Sequence, residues 1–414
     1  MLFSKGEVYH LVVVIAQLLH IGKCANLTDV SQLYDYLLDG YNKNLLPQYD
    51  APTSIIVAIQ MAGIQKFDEI TGELEISTVV FLKWKDPRLA WSPSDFGGTT
   101  SLLLQATDLW IPIMYVLKTT EQSDSIGTRS VQPRVFSDGT IVWNSGMSVS
   151  ISCSVDVTYF PFDSQNCPLT IQATAYNLSE VQFVLGSHTL RTSFYTSNSQ
   201  WELKESSVNL TSYGITPGVS FDINLKRRSD FFVVYIVLPM ICLGFMNNLV
   251  LIMPVASGER MSVAVTIFLS FVVYMEIVTD CVPESSSPIA YIFYYIVVLL
   301  LNSSLIFIVC LISLQIHDKQ KSVPRKVQTF TNYMRFACFR SNSSDTKVYP
   351  FQQDDELPAE KIETDIDKPD NKYSEITWTT VGKTFDCYFA VIFITSFTLF
   401  TLVTWNNLYY NTDL

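Results

Sequence analysis

Four apolar blocks constrain this chain more than any other feature. They lie at Phe231–Met253, Met261–Val278, Ile289–Leu314 and about Tyr388–Trp405. Each is close to the ~20 residues an α-helix needs to cross the apolar layer of a bilayer. One soluble globule cannot hide four such blocks. Composition agrees, with 48% hydrophobic and 16% charged residues, against ~25% charged in an average soluble domain. Lys and Arg number 27 and Asp and Glu 39, a net charge of −12. A nucleic-acid partner would want the opposite sign, so none is expected; the surrounding partner is lipid.

The residues ahead of these blocks read differently. Ile55–Ile59, Glu73–Trp84, Arg134–Phe136, Ile141–Trp143, Val149–Cys153 and Val219–Leu225 are rich in β-branched and aromatic residues. Turn signals such as Ser137-Asp138-Gly139 and Pro217-Gly218 separate them. Many short strands at this spacing predict an Ig-like antiparallel β-sandwich, preceded by an amphipathic helix over Val30–Tyr41. The fold class expected is α+β, a β-sandwich followed by a transmembrane four-helix bundle.

Residues 1–24 read as a secretory signal. Lys5 precedes the apolar core Leu11–Ile21, and small residues lie near Cys24. Residues 25–229 are then extracellular, 230–314 hold three membrane helices, 315–386 a cytosolic loop, 387–406 the fourth helix, and 407–414 an extracellular end. Lys319, Lys321, Arg325, Lys326, Arg335 and Arg340 follow the third block, which places that loop on the cytosolic side. Residues 342–373 carry nine acids and four lysines and are expected to be disordered. Asn26, Asn177 and Asn209 are outward N-x-[ST] sites and candidate sugar acceptors; Asn302 and Asn342 lie where no sugar is attached. Cys153 and Cys167 are the two cysteines of the extracellular part, and the oxidising compartment favours a disulfide between them. No nucleophile–base pair and no His or Cys cluster suggests an enzyme, a metal or a cofactor.

The second block has a polar stripe. Ser262, Thr266, Leu269, Val273, Glu276 and Asp280 recur in steps of 4, 3, 4, 3 and 4, which is one face of a 3.6-residue helix. Acids and hydroxyls at membrane depth face a bundle interior or water, so the stripe reads as a pore wall or as a buried polar seam.

Together these pieces resemble the Cys-loop receptors, the pentameric ligand-gated ion channels. The resemblance rests on Cys153-x13-Cys167 enclosing Phe160-Pro161-Phe162-Asp163, and on Trp84-Lys85-Asp86-x-Arg88-Leu89-x-Trp91. Trp110-Ile111-Pro112, Ser137-Asp138-Gly139-Thr140 and Pro254-Val255-Ala256-Ser257-Gly258-Glu259-Arg260 also carry it. It implies five subunits around one pore, lined by the second span and gated at Leu269. Gly258-Glu259-Arg260 resembles the cation-selective, nicotinic and serotonin-type branch, with Glu259 at the cytosolic mouth and Arg260 turned away. Permeant cations are then the conducted species. The resemblance also implies that Arg227 pairs with Asp163 and with Glu69 to couple the β-domain to the first span.

The implied ligand pocket departs from the aromatic cage of amine-gated relatives. Its cage positions are Val79, Leu117, Thr174 and Thr216, and none is aromatic. Tyr213 and Tyr176 lie nearby, and Phe81 and Trp143 are candidates to face the pocket from a neighbouring subunit. An amphipathic small molecule suits such a site better than a quaternary ammonium. The readings left open are a homopentamer or heteropentamer, an accessory subunit without a complete ligand site, and a channel gated by protons or lipid.

Overall fold

A computed structural model describes residues 26–119, 126, 131–255, 258–283, 288–338 and 376–410, with backbone alone at 335–338. The expected signal, the acidic stretch 342–373 with Asn342, and residues 411–414 lie outside the described residues. The chain divides into two units, Met1–Ser229 with Cys281–Ile289, and Asp230–Asp280 with Ala290–Leu414.

The first unit opens with helix α1 (Leu27–Leu38), three residues earlier than Val30–Tyr41. The Asn26 backbone N–H donates to the Asp29 carboxylate at 3.4 Å, an early start signal that the apolar periodicity does not report. Eleven strands follow among the described residues. They are β1 (Thr53–Asp68), β2 (Glu73–Ala90), β3 (Ser101–Leu103), β4 (Tyr115–Val116), β5 (Arg134–Phe136), β6 (Asp138–Ser152), β7 (Ser164–Gln172), β8 (Val181–Leu185), β9 (Trp201–Leu203), β10 (Ser207–Tyr213) and β11 (Thr216–Arg227). One sheet has the order β3-β5-β6-β2-β1-β8; the other has β10-β11-β7-β4, with β9 beside β11.

Alternation builds the core between the sheets. Leu74, Ile76, Thr78, Val80, Leu82 and Trp84 of β2 are buried, while the odd-numbered residues between them are not. Trp84, Trp143, Trp201, Phe160 and Phe221 are the bulkiest fully buried side chains of this unit. Each stabilises the sandwich by about 1.5–3 kcal/mol through area removed from water. The segments Ile141–Trp143 and Val149–Cys153 belong to one run, β6 and the residue after it. Between them, Ser145 pairs with Val80 and Gly146 with Val79, so backbone pairing bridges a gap in the apolar pattern. Strand β7 contains Pro168, which argues against a strand when only the sequence is read. In the turn into β6, Gly139 has φ +79°, and a Cβ there would fall 2.5 Å from the Asp86 carbonyl oxygen. Only glycine fits that turn.

Among the described residues, the second unit has four helices long and apolar enough to cross a membrane. They are α2 (Asp230–Ile252), α3 (Arg260–Thr279), α4 (Tyr291–His317) and α6 (Trp378–Tyr410); the shorter α5 (Arg325–Cys338) lies between the last two. Residues Val233–Val237 form a wider π-turn just before Pro239, which accommodates a residue without an N–H. Helix α6 starts at Trp378 rather than near Tyr388 and continues past Trp405. The interval 315–386 therefore contains α5 and the first turns of α6, and the helix exceeds 387–406 at both ends. Gly244 of α2 lets α6 approach: a Cβ there would fall 2.5 Å from the Phe397 ring. Inside the bundle Ser303 donates to Asn247 Oδ1 at 3.1 Å.

Candidate functional site

Three arrangements carry the chemistry, and each grows from a local feature of the sequence. The first closes the β-sandwich. Cys153 and Cys167 are joined by a disulfide that ties the end of β6 to β7, one strand from each sheet. The loop between them carries Phe160, which is fully buried, and Asp163, which is 3% exposed. Arg227, the last residue of β11, is 5% exposed. Its Nε donates to Asp163 Oδ1 at 2.7 Å, its Nη2 to Asp163 Oδ2 at 3.1 Å and its Nη1 to Glu69 Oε1 at 2.8 Å. The pairing to Asp163 is bidentate, the geometry for which a guanidinium is suited. Burial works against the charge on Arg227, but the two carboxylates outweigh it and raise its pKa above the usual arginine value. Gln165 Nε2 donates to Asp163 Oδ2 at 2.6 Å, fixing that carboxylate.

Arg227 has two further neighbours that sequence reasoning missed. Its Cζ lies 4.3 Å from the Trp201 ring centroid and 5.1 Å from that of Phe160. Phe160 lies in the quoted cysteine-loop motif, so a cation–π partner was findable there. Trp201 sits in a three-residue strand with no motif, and only the β9–β11 pairing of Trp201 with Arg227 brings it in.

The second arrangement is α3. Ser262, Thr266, Leu269, Val273, Glu276 and Asp280 are all exposed in the single chain, as is Val265 beside them. Ala264, Ile267, Phe271 and Val278 on the other face are buried. Leu269 is 56% exposed and Val273 59%, so apolar side chains on this face lack intrachain cover. Thr266 satisfies its hydroxyl on the Ser262 carbonyl at 2.9 Å. At the start of the helix Glu259 is exposed, whereas Arg260 is 3% exposed. Arg260 Nη1 and Nη2 donate to the Asp386 carboxylate of α6 at 2.9 and 3.0 Å. The resemblance turns Arg260 away from the pore but does not point to Asp386.

The third is the group of expected pocket residues. Val79 and Phe81 lie half-buried on the outer face of β2, and Leu117 is half-buried after β4. Thr174 is exposed after β7, Thr216 is half-buried at the start of β11, and Tyr213 is 54% exposed at the end of β10. Tyr176 packs edge-on against Trp110 at 5.9 Å. Trp143 is corrected. It is 1% exposed and its indole N–H donates to the Val131 carbonyl at 2.8 Å, so it belongs to the core. The reason is parity: Trp143 pairs with Leu82, while Phe81 pairs with Asn144, and directly paired residues share a face. Asn144 is the β6 residue on the side of Phe81. The candidate sugar acceptors Asn26, Asn177 and Asn209 are all exposed.

Residues 30–229 match the family described as neurotransmitter-gated ion-channel ligand binding domain, and residues 236–374 match the neurotransmitter-gated ion-channel transmembrane region. The chain belongs to the neurotransmitter-gated ion-channel family. That family consists of ion channels and not of enzymes. Similar proteins include the human neuronal acetylcholine receptor subunit beta-3, 27% identical over 301 residues, covering 70% of this chain and 64% of that subunit. The human neuronal acetylcholine receptor subunit alpha-2 is 26% identical over 299 residues, covering 70% of this chain and 56% of that subunit. The acetylcholine receptor subunit beta-type lev-1 of Caenorhabditis elegans is 27% identical over 270 residues, 64% of this chain and 53% of that protein. The matches thus span between about half and two thirds of the length of these relatives.

Proposed function

We propose that the chain is a subunit of a pentameric, cation-selective channel of the plasma membrane, opened by a small molecule bound between extracellular domains. The exposed stripe of α3 carries this reading. A single chain leaves Leu269, Val273, Glu276 and Asp280 uncovered, and five copies around an axis would turn that stripe onto a shared pore. Rings of Glu259, Glu276 and Asp280 would draw cations in and repel anions. A ring of Leu269 would close the pore by dewetting. Arg227, held by Asp163 and Glu69, would carry motion of the ligand domain to α2, whose first residue follows at Asp230. One chain holds the whole stripe, which supports a homopentamer; relatives named as beta-3 and alpha-2 subunits make a heteropentamer the alternative. Sugars on Asn26, Asn177 and Asn209 fit the outward face.

The pocket is assigned to Leu117, Thr174, Tyr176, Tyr213 and Thr216 of one subunit against Val79 and Phe81 of the next. Its apolar and hydroxyl lining suits an amphipathic ligand. The same lack of an aromatic cage favours a second reading, an accessory subunit that needs partners to complete a ligand site. Reversal potentials in a salt gradient test the charge selection. Glu259→Gln is expected to weaken cation preference. An unchanged permeability ratio would remove Glu259 from the selectivity ring.

A further inference from the structure

The outer face of the β1–β2–β6 sheet is cationic around the expected pocket wall. Arg191 lies on the segment that follows β8 and runs beside β1. Its backbone N–H donates to the Ile59 carbonyl at 3.0 Å, and its own carbonyl accepts from Met61 N–H at 2.9 Å. This anchoring fixes Arg191 next to Gln60, to which it is bridged. Arg191 is exposed, and its guanidinium Cζ stands 5.3 Å from the Phe81 ring centroid. It makes no ion pair and no side-chain hydrogen bond among the described residues. Lys83, exposed two residues beyond Phe81 on the same face, has no carboxylate partner there either.

Among the described residues no Asp or Glu forms an ion pair with Arg191 or Lys83. No Asp or Glu occurs from 186 to 196, nor among Ile56, Ala58, Gln60 and Ala62 of β1, nor among Val142, Asn144, Gly146 and Ser148 of β6. Along β2 the nearest acid on this face is Glu75, about 20 Å from Phe81 at ~3.3 Å per residue. A second observation points the same way. Gln60 is 5% exposed, and its amide Nε2 has no acceptor among the described residues. It sits opposite Val79 in the β1–β2 register. A buried donor without an acceptor is costly, and Gln60 is the residue bridged to Arg191. Between them, Val79 and Phe81 form an apolar shelf.

We infer that this face receives a small amphipathic anion, a carboxylate whose apolar body lies on Val79 and Phe81 and whose charge meets Arg191. The inference rests on the proposed pocket and deepens it, because it names the ligand's charge. An ammonium ligand would meet repulsion from Arg191 and Lys83 with no π-cage to offset it.

The test uses the full chain carrying Val79→Cys, reconstituted in lipid discs, with the parent chain as the blank for its other thiols. Labelling rates are measured with two methanethiosulfonates, one bearing a sulfonate and one a trimethylammonium group. The sulfonate-to-ammonium rate ratio at the introduced thiol is expected to exceed that of a free small thiol by about tenfold, the lower range for electrostatic focusing. Adding Arg191→Gln is expected to abolish the excess, and Arg191→Lys to retain it. Phenylacetate is expected to slow labelling, and benzylamine to leave it unchanged. A ratio equal to that of the free thiol, a ratio indifferent to Arg191→Gln, or protection by benzylamine as strong as by phenylacetate overturns the inference. Current recorded from the same labelled channels separates the two readings. A charge-selected label that leaves gating untouched keeps the anion site but removes it from gating. Altered gating without charge selection keeps the pocket and removes the anion.

Discussion

Arg227 is a buried charge with two carboxylates and two rings around it, so its loss should be felt twice. Arg227→Gln leaves Asp163 buried without its counter-charge, and breaking such a pair costs about 3–5 kcal/mol. The expected outcome is lower unfolding stability of the purified chain and impaired opening. In a double-mutant cycle with Asp163→Asn, the two losses should fall short of additivity by about 0.5–3 kcal/mol. Additive losses would contradict a working pair. Part of this cluster is legible in the sequence. Lys226-Arg227-Arg228 lie on the expected outer side, where topology needs no bases, and this marks Arg227. Trp201 carries no such signal, because its approach depends on strand pairing over a long sequence separation. Trp143 goes to the wrong face on sequence alone, because alternation gives two faces but not which one is core. That choice needs the Leu82–Trp143 register.

At the scale of elements, α3 is the most legible part of the chain. Its polar stripe repeats at 3.6 residues, and all six stripe residues are exposed in the folded chain. Leu269→Thr would hydrate the proposed constriction, and the closed state loses most from that. Spontaneous current should rise in the absence of ligand; no rise in a conducting channel would remove Leu269 from the gate. The start of α6 is not legible. Thr379, Thr380, Gly382, Lys383 and Asp386 lower its hydropathy, yet these turns are helical and Asp386 neutralises Arg260 of α3. Asp386→Asn should therefore destabilise the helical unit by about 3–5 kcal/mol, because it strands a buried guanidinium. Replacing both partners, Arg260→Met with Asp386→Leu, should cost less than either single change. Thermal unfolding of the three variants checks this order; a double variant worse than both singles would contradict it.

For the whole molecule, the apolar blocks, the β-type half and the cysteine loop fix the family, and the matches over 30–229 and 236–374 agree. The ligand is the least legible part, because the proposed pocket is written as isolated residues on several strands. Arg191 belongs to no motif and reaches Phe81 only through the segment beside β1. The account stands on α3 as the wall of a cation pore, and a cysteine scan of residues 262–280 tests that most directly. Current through the expressed channel is followed while a cationic, membrane-impermeant thiol reagent is applied. Cysteines replacing Ser262, Thr266, Leu269, Val273, Glu276 and Asp280 should react and reduce the current, while those replacing Ala264, Ile267, Phe271 and Val278 should not. Reaction on the second set, or no periodicity at all, would contradict the account.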